Sequence, residues 1–505
     1  MTVETPQRRA TWREWLGLAI LTLPIFMMAN DVSVLYLAMP AIGADLLPSA
    51  SQSLWILHVG ELLGAGFVLT LGRLGDRVGR RRLLLTGLAV YGAASAAAAF
   101  SPDAWTLIAA RALLGLAAAT LAPSALSLLR QMFTDPRQFS LAVALNLSAF
   151  SVGMALGPPL GGVLLEFFPW GALFLVNVPI ALLALAALPL LLPEYRDPAA
   201  GRLDPASVLL SAGALVLAVF GLQEIAARGP QPPFLAAVGA GLVLGWLFLR
   251  RQRRTDDPLL DPGMFAARGF GVAVCLGLLM LFVAGGPNLF LVQFLQSVLG
   301  VSPGAVGLLL VLPAAAGLAG TVLTPAFLRW GSVGQVLAAS MPVALAGLAV
   351  MAVAAGQGSL WGLVAGTSLL SLGGGPALTL GSQVALSAVP LEQTASASAV
   401  NDVAAGMGQT LSLALLGSVG LAVYRTTLAG AWPAGVPGSA DGAAGDSVGA
   451  AMGIAGDLGG AAGTALAEAA GAALEAALRT SSVIAAAVLV VPMAAVSALL
   501  WRHRI

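Results

Sequence analysis

The fold is decided by ten residues that read RLGDRVGRRR, from Arg73 to Arg82. Five of them are arginine, one is aspartate and two are glycine, which is a composition typical of a tight polar turn. Long apolar runs lie on either side, at about 54–71 and 83–100. Because runs of this length match the thickness of a bilayer, the turn is predicted to connect two membrane-spanning helices at the membrane surface.

The composition of all 505 residues indicates a protein solvated by lipid. Hydrophobic residues make up 58% of the chain and charged residues only 9%, whereas a water-soluble domain carries roughly 25% charged residues. All 24 basic residues are arginine, so the chain has neither a P-loop lysine for ATP nor a Schiff-base lysine. One cysteine, Cys275, and two histidines, His58 and His503, are too few for a Cys/His metal site, so no metal is predicted.

Apolar stretches of about twenty residues predict fourteen membrane-spanning helices, from about 16–42 to 480–501. If both termini are cytoplasmic, only Arg228, Arg425 and Arg479 face outward and Arg111 lies inside the membrane. The remaining 20 of the 24 arginines then lie on the cytoplasmic side. This asymmetry follows the positive-inside rule, and one span more or fewer in the middle would destroy it.

The turn also carries a family signature. Its pattern Gly-x-Leu-x-Asp-Arg-x-Gly-Arg-Arg resembles the loop between helices two and three of the major facilitator superfamily of transporters. The matching residues are Gly72, Leu74, Asp76, Arg77, Gly79, Arg80 and Arg81, with Arg73 in the same loop. The resemblance implies an all-α polytopic membrane protein with two six-helix bundles, at 1–193 and 269–505, separated by two inserted transmembrane helices within 194–268.

One predicted outward segment, residues 426–479, is unusual. Its first part is rich in proline, glycine and acidic residues, whereas Gly463–Leu478 places apolar residues at helical spacing. We expect a flexible stretch that leads into a short helix or hairpin at the outer surface. The segment is therefore predicted to lie outside the transport core.

Four ionisable residues within predicted spans are singled out: Asp31, Glu61, Arg111 and Asp402, with His58 one turn from Glu61. Each costs roughly 2.5–3.5 kcal/mol near the bilayer centre, so a function is expected of them. Asp31 in the first span could attract a lipophilic cation, carry a proton, or do both in competition. The alternative for Asp31 is a structural hydrogen bond to a neighbouring helix.

The acids of the second and thirteenth spans are candidates for proton coupling. His58 and Glu61 are three residues apart and share one face of a helix. In QacA-like pumps, which this chain resembles, an acid is expected at the position of His58 and a second acid at Gly406. Asp402 alone remains in the thirteenth span, and its alternative role is an N-terminal aspartate stabilised by the helix dipole.

Arg111 matches the family's buried arginine of helix four. Its chemistry is to hold a carboxylate or main-chain carbonyls, either in a transport step or as a static ion pair.

A glycine motif occupies the fifth span. It has small residues at i, i+4 and i+8 together with proline, which permits close helix contact and bends the axis. The motif residues are Gly153, Gly157, Pro158, Gly161 and Gly162. The full pattern resembles a motif of exporting antiporters in this superfamily, and it favours export over import.

Together these features resemble the fourteen-helix drug:proton antiporters of the QacA and LfrA type. The resemblance implies efflux of lipophilic cations, such as quaternary ammonium compounds and dyes, driven by the proton gradient without a cofactor. We expect a monomer in the cell membrane, with small-molecule cations and protons as partners and no nucleic acid. Aromatic and polar candidates for the substrate cavity, where cation–π contacts add affinity, are Tyr36, Trp55, Phe150, Asn288, Gln293 and Gln296.

Two alternatives remain open at this point. The same fold could export an endogenous metabolite or a neutral solute, which the small number of acids in the cavity favours. A membrane-embedded enzyme or receptor is the other class. The sequence offers no nucleophile–base pair, nucleotide loop or soluble output domain for it, so we predict that the protein is not an enzyme.

Overall fold

The computed structural model describes residues 10–194, 196, 204–228, 231–255, 263–264, 267, 269–389 and 394–503. These residues form helices and their connections, with no β-strand among them. Thirteen helices are long and apolar enough to cross a membrane, and α2 is the fourteenth if its two arms, which meet at 56°, form one span. The prediction of an all-α, multi-pass membrane protein is confirmed.

The first six spans pack mainly with one another. Their helices are α1 (Trp12–Leu46), α2 (Ala50–Val78), α3 (Arg80–Ala99), α4 (Ala104–Met132), α5 (Pro136–Phe167), and α6 (Ala172–Leu175) followed by α7 (Asn177–Leu191). Side-chain oxygens cap several of these helices. Ser49 accepts from the Gln52 amide, and Asp103 accepts from the Thr106 amide.

The basic segment 73–82 is more helical than the sequence predicts. α2 continues to Val78 and α3 begins at Arg80, so the turn narrows to Gly79 alone, whose φ is 119°. Only glycine adopts such a backbone easily. We call the membrane face that holds Gly79 the basic face and the other the opposite face. The start of α1 lies at the basic face, where the Ala10 amide donates to Gln138.

Two helices, α8 (Pro205–Arg228) and α9 (Pro232–Gln252), pack against each other and form the inserted pair. Their ends at the basic face are joined by Arg251, whose guanidinium binds the Asp204 carboxylate at 2.5 and 2.9 Å. These hydrogen bonds lower the pKa of Asp204 to about 2. Asp204 therefore stays charged at neutral pH and closes the hairpin there.

The remaining spans form the second bundle. They are α10 (Phe270–Ser297), α11 (Pro303–Leu309) with α12 (Val311–Phe327), α13 (Val333–Gly356), α14 (Leu360–Ser387), α15 (Thr394–Ser412) with α16 (Ser418–Gly430), and α19 (Gly460–His503). A π-helical turn, Leu413–Gly417, joins α15 to α16. Proline lies inside α10, α12, α13 and α14, where it removes a helical hydrogen bond.

The segment 426–479 differs from its prediction. After α16 come two short helices, α17 (Asp441–Asp446) and α18 (Val448–Leu458), and α19 then runs without a break through 460–479 into the last span. The expectation of a separate short helix or hairpin at the outer surface is wrong, because this helix is continuous with the last span and buries Leu466, Ala470 and Leu474 in the main hydrophobic cluster. Alanine is the strongest helix former, and no proline interrupts this stretch, so the helix extends.

Helix α18 packs on the end of α1 at the opposite face. A Cβ atom at Gly449 would lie 2.8 Å from the Pro40 carbonyl oxygen and 3.0 Å from the Ala44 amide nitrogen. Val448 and Ala451 are buried beside it. The segment therefore covers the first bundle at this face and is held there by backbone-to-backbone approach.

We predict that Gly449→Ala destabilises the folded protein by about 1–3 kcal/mol, because the new methyl group overpacks the contact between α18 and α1. The measurement is thermal unfolding of the protein in detergent. Gly453 lies in the same helix with no atom within 4 Å of a new Cβ, so Gly453→Ala is the matched control. The control should be neutral or slightly stabilising, and equal effects of the two changes would contradict the packing described here.

Candidate functional site

Arg111, in the middle of α4, is the centre of the candidate site. Its side chain is only 2% exposed, and its guanidinium forms an ion pair with Asp31 of α1. Its Nε donates to the Ile56 carbonyl oxygen of α2 at 3.2 Å. Tyr91 of α3 is fully buried and lies within electrostatic range of Asp31. Four helices of the first bundle therefore meet at one buried ion pair.

Glycines let α2 and α4 approach closely enough for this arrangement. A Cβ atom at Gly115 would overlap the carbonyl oxygen of Gly60. A Cβ atom at Gly60 would lie 3.1 Å from the carbonyl oxygen of Arg111 and 3.7 Å from the Nη2 atom of the Arg111 side chain. The guanidinium thus lies against the backbone of α2. Substitution at either glycine would push the arginine away from its partners.

Glu61 follows Gly60 and lies within electrostatic range of both Arg111 and Asp31. Its Oε2 atom is buried and has no hydrogen-bond partner among the described residues. Arg111 and Asp31 neutralise each other, so a charged Glu61 would be the third member of a buried cluster with no counter-charge of its own. A bare carboxylate there is costly unless it takes up a proton or a cation.

His58 lies one turn before Glu61 and is completely buried. The centroid of its ring is 4.8 Å from the centroid of the Trp55 ring. The centroid of the Trp55 ring lies 6.3 Å from the centroid of the Phe220 ring in α8. The histidine is therefore on the side of α2 that leads towards the inserted pair.

Asp402 lies in α15, and its side chain is outside the described part of the structure. The helix itself is placed by its neighbours. Asn401 donates to Ser382 at 3.1 Å, and a Cβ at Gly406 would lie 3.9 Å from the Ala65 methyl group of α2. Because Ala65 is one turn from Glu61, α15 runs beside the helix that carries His58 and Glu61.

The glycine motif of α5 binds two helices at once. Cβ atoms at Gly153, Gly157 and Gly161 would collide with α1, at Phe26, Ser33 and Val34 respectively. On its other side, Gly162 approaches the Pro303 carbonyl oxygen at the start of α11, and Pro158 approaches Gly307. The motif therefore joins the helix that carries Asp31 to the second bundle.

The residues of the basic segment form contacts at the basic face. Asp76 is bound by Arg80, one turn on, at 2.7 and 2.8 Å, whereas Arg81 donates to the Leu192 carbonyl oxygen at 2.8 Å. The Glu194 carboxylate lies 3.6 Å from Arg81 and next to Gly79. The basic segment is therefore bound to the C-terminal end of α7.

The other residues of the signature lie at the C-terminal end of α2. Gly72 faces Pro123 of α4, Arg73 is half-buried, and Arg77 is exposed.

The predicted cavity residues do not form one group. The Tyr36 hydroxyl contacts Gln409 of α15, and Gln296 donates to the Leu37 carbonyl oxygen at 3.0 Å. Both contacts join the two bundles. Gln293 lines a small cavity near the opposite face, beneath 446–449.

The other three cavity candidates lie apart from these contacts. Trp55 faces the inserted pair, Asn288 is half-buried in α10, and Phe150 is 45% exposed on α5.

Several polar residues are not identified by sequence reasoning. They are Tyr91, Glu194, Gln223, Glu224 and Gln409. Glu224 could have been noticed, because it lies inside the apolar stretch 206–227, which is long enough to span the membrane. Its place near the end of that stretch is also typical of an interfacial charge. In the structure it is 3% exposed and accepts a hydrogen bond from Ser51 at 2.6 Å.

Comparison with known proteins places this geometry in a family. A family model described as Major Facilitator Superfamily matches residues 21–413. The multidrug efflux pump LfrA of Mycolicibacterium smegmatis is 40% identical over 441 residues, which is 87% of each chain. The methyl viologen resistance protein SmvA of Salmonella typhimurium is 34% identical over 418 residues, 80% of this chain and 82% of its own.

The fold is shared with a solved structure. A bacterial homologue of the human lysosomal transporter Spinster, in an inward-facing and unoccupied conformation, superposes with a TM-score of 0.64. The alignment covers 95% of this chain and 97% of the other at 16% identity, so the likeness concerns the fold alone.

We predict that Arg111→Gln or Asp31→Asn alone costs about 3–5 kcal/mol of folding stability, because each leaves the other charge buried without its partner. The double variant should be more stable than the sum of the single losses predicts. The measurement is a double-mutant cycle from denaturant unfolding in detergent.

Arg329, exposed near the basic face, provides the control, and Arg329→Gln should change stability little. Additive losses in the cycle would mean that Asp31 and Arg111 do not act as a pair.

Proposed function

We propose that this chain, which belongs to the Major Facilitator Superfamily, exports lipophilic cations across the cytoplasmic membrane in exchange for protons. The observation that carries the proposal is the buried cluster of Asp31, Arg111 and Glu61, two carboxylates around one guanidinium. The relatives named for multidrug efflux and methyl viologen resistance support the substrate class.

The orientation follows from the arginines. With the basic face in the cytoplasm, both termini are cytoplasmic, and 20 of the 24 arginines lie on that side. The hydrogen bonds that join the two bundles, at Tyr36 and at Gln296, then lie on the outer side of Asp31. In this orientation the two hydrogen bonds hold the bundles together on the outer side of the cluster, which supports access of cations from the cytoplasm.

The exchange of proton for cation rests on charge balance. Arg111 compensates only one carboxylate at a time, and in this structure that partner is Asp31. Glu61 then either carries a proton and is neutral, or is charged and pairs with a cationic substrate. The two states exclude each other because both use the same carboxylate. A proton that enters from the outside therefore displaces the cation.

Alternating access involves the helices that contact the buried cluster. α1 is bound to Arg111 on one side and to the α5 glycines on the other, while α5 also contacts α11 of the second bundle. A change in the Asp31–Arg111 pair would thus alter how the two bundles meet. Rocking of the bundles about a central site is the usual mode of transport in folds of this kind.

The test is ethidium accumulation in inverted membrane vesicles with an imposed pH gradient, acid inside. Wild-type protein should accumulate ethidium, and a protonophore should abolish this accumulation. Glu61→Gln and Asp31→Asn remove a charge at nearly constant volume, and each should reduce accumulation by about tenfold or more. Immunoblots of the vesicles check that each variant is present at wild-type amounts.

Glu468 is an exposed acid of α19 near the opposite face, so Glu468→Gln is the matched control and should transport normally. If Glu61→Gln still accumulates ethidium like wild type, the assignment of Glu61 is wrong. If wild-type vesicles move no cation under a gradient but release a neutral solute, the exporter of neutral solutes is the better description.

A further inference from the structure

One charged side chain interrupts the lipid-facing surface of the last span, α19. The exposed residues between 472 and 490 follow one another at intervals of seven, four, four and three residues, so they lie along one face of the helix. They are Ala472, Arg479, Val483, Ala487 and Val490. The other side of the helix is buried against the second bundle, at Leu474, Leu478 and Leu489. Because α19 crosses the membrane, the exposed face meets lipid, and Arg479 is the only charged residue among these five.

Neighbouring helices give the depth of Arg479 in the membrane. Glu475, one turn before it, lies next to Gly356 at the end of α13, where a Cβ atom would be 3.4 Å from the Glu475 Oε1 atom. In the first turn of the following helix, α14, Trp361 is 65% exposed, and exposed tryptophan is typical of the membrane–water interface. Glu475 therefore lies at the interface of the opposite face. Since α19 runs from this face towards the basic face, Arg479 lies about 6 Å deeper in the membrane.

Arg479 and Glu475 line one groove but do not bind each other. Neither side chain forms an ion pair or a hydrogen bond with any residue that the structure describes. The groove has a volume of about 400 Å³, and its other lining residues are Ala476, Thr480, Val483 and Ile484. Sites for small molecules have volumes of roughly 300–1,000 Å³, so the groove has room for more than a few water molecules.

The need to keep a charge out of hydrocarbon does not explain this arrangement by itself. An arginine with no other role would extend along α19 until its guanidinium reached the interface. There it would meet Glu475, because a glutamate four residues before an arginine is well placed to pair with it on a helix. The two charges instead stay apart on the walls of one groove. Such a groove is complementary to a ligand that carries both a negative and a positive charge.

We propose that this groove binds the headgroup of one phosphatidylethanolamine molecule from the leaflet at the opposite face. In that lipid the phosphate is next to the glycerol, and the primary ammonium is two carbons farther from the hydrocarbon. Arg479, the deeper charge, binds the phosphate, and Glu475, nearer to water, binds the ammonium. Val483 and Ile484 lie one turn deeper still and contact the acyl chains. The inference concerns a lipid and not the exported substrate, so it does not depend on the proposed function.

The experiment titrates the delipidated full chain in detergent with dioleoylphosphatidylethanolamine and measures bound lipid by native mass spectrometry. Arg479→Gln should weaken binding by about tenfold or more, because a hydrogen bond between two charged groups contributes an affinity factor of this size. Arg479→Lys keeps the positive charge and should bind more tightly than Arg479→Gln. Glu468→Gln changes an exposed acid of the same helix outside the groove, so this control should bind the lipid like wild type.

Two further comparisons identify the headgroup. Glu475→Gln should weaken binding of dioleoylphosphatidylethanolamine, whereas binding of dioleoylphosphatidylglycerol, which has the phosphate but no ammonium, should stay the same or increase. Inorganic phosphate at millimolar concentration should not displace the ethanolamine lipid, because it has neither the ammonium nor the acyl chains. Displacement by inorganic phosphate would show a site for free phosphate and would overturn the lipid site.

The remaining outcomes also decide the inference. Equal affinity of wild type and Arg479→Gln for the ethanolamine lipid overturns it. Equal loss of both lipids in Glu475→Gln shows that the glutamate maintains the fold and does not bind the ammonium, and this too overturns it. If Arg479→Gln does not fold, Arg479→Lys and Glu475→Gln decide by the same comparison of the two lipids. None of these measurements uses transport, so failure of the proposed function would leave the inference standing.

Discussion

An arginine buried among four helices is the constraint on which the rest of the first bundle depends. A guanidinium cannot lose its charge, so every arrangement that buries Arg111 has to provide a carboxylate and carbonyl oxygens around it. α1 supplies Asp31, α2 supplies the Ile56 carbonyl oxygen, and Tyr91 of α3 lies within electrostatic range of the carboxylate. The positions of these helices are therefore fixed by the coordination of one charge as much as by apolar packing.

The same constraint explains why glycine is concentrated around the site. Apolar packing gives little drive to helix association in lipid, so close backbone approach and polar contacts matter more. Gly60 and Gly115 allow α2 and α4 to meet around the arginine, and Gly157 allows α5 to lie against α1 beside Asp31. Because α5 also contacts α11, α1 connects the charged cluster with the interface between the bundles. A change of charge at the cluster thus has a short mechanical route to that interface.

The sequence predicts those features that lipid itself imposes. The number of spans, the polar turn at Gly79 and the presence of ionisable groups inside the membrane follow from the cost of exposing polar atoms to hydrocarbon. Pairing between distant helices does not follow, because it depends on their docking. Arg111 was expected to hold some carboxylate, but nothing in the sequence selects Asp31 over Glu61.

The same limit explains the differences at the membrane faces. Asp76 was expected to pair across the basic face, whereas in the structure it is bound by Arg80, one turn on in the same segment. The continuation of α19 through 460–479 depends on burial of Leu466 and Leu474 in the second bundle, and glycine and proline content alone could not show it.

The inserted pair differs in how it contacts the two bundles. Its contact with α2 of the first bundle combines apolar packing of Leu62 on Val219 with hydrogen bonds from Ser51 and Gln223, which are directional and hold a fixed geometry. Its contact with the second bundle is apolar: Val219 packs with Ala414 in the π-helical turn, and such contacts slide at low cost. When the bundles rock, the pair should therefore move with α2 and slip over the π-helical turn. An even number of inserted helices also leaves the second bundle in its original orientation, so the pair adds a surface to α2 without changing the topology of transport.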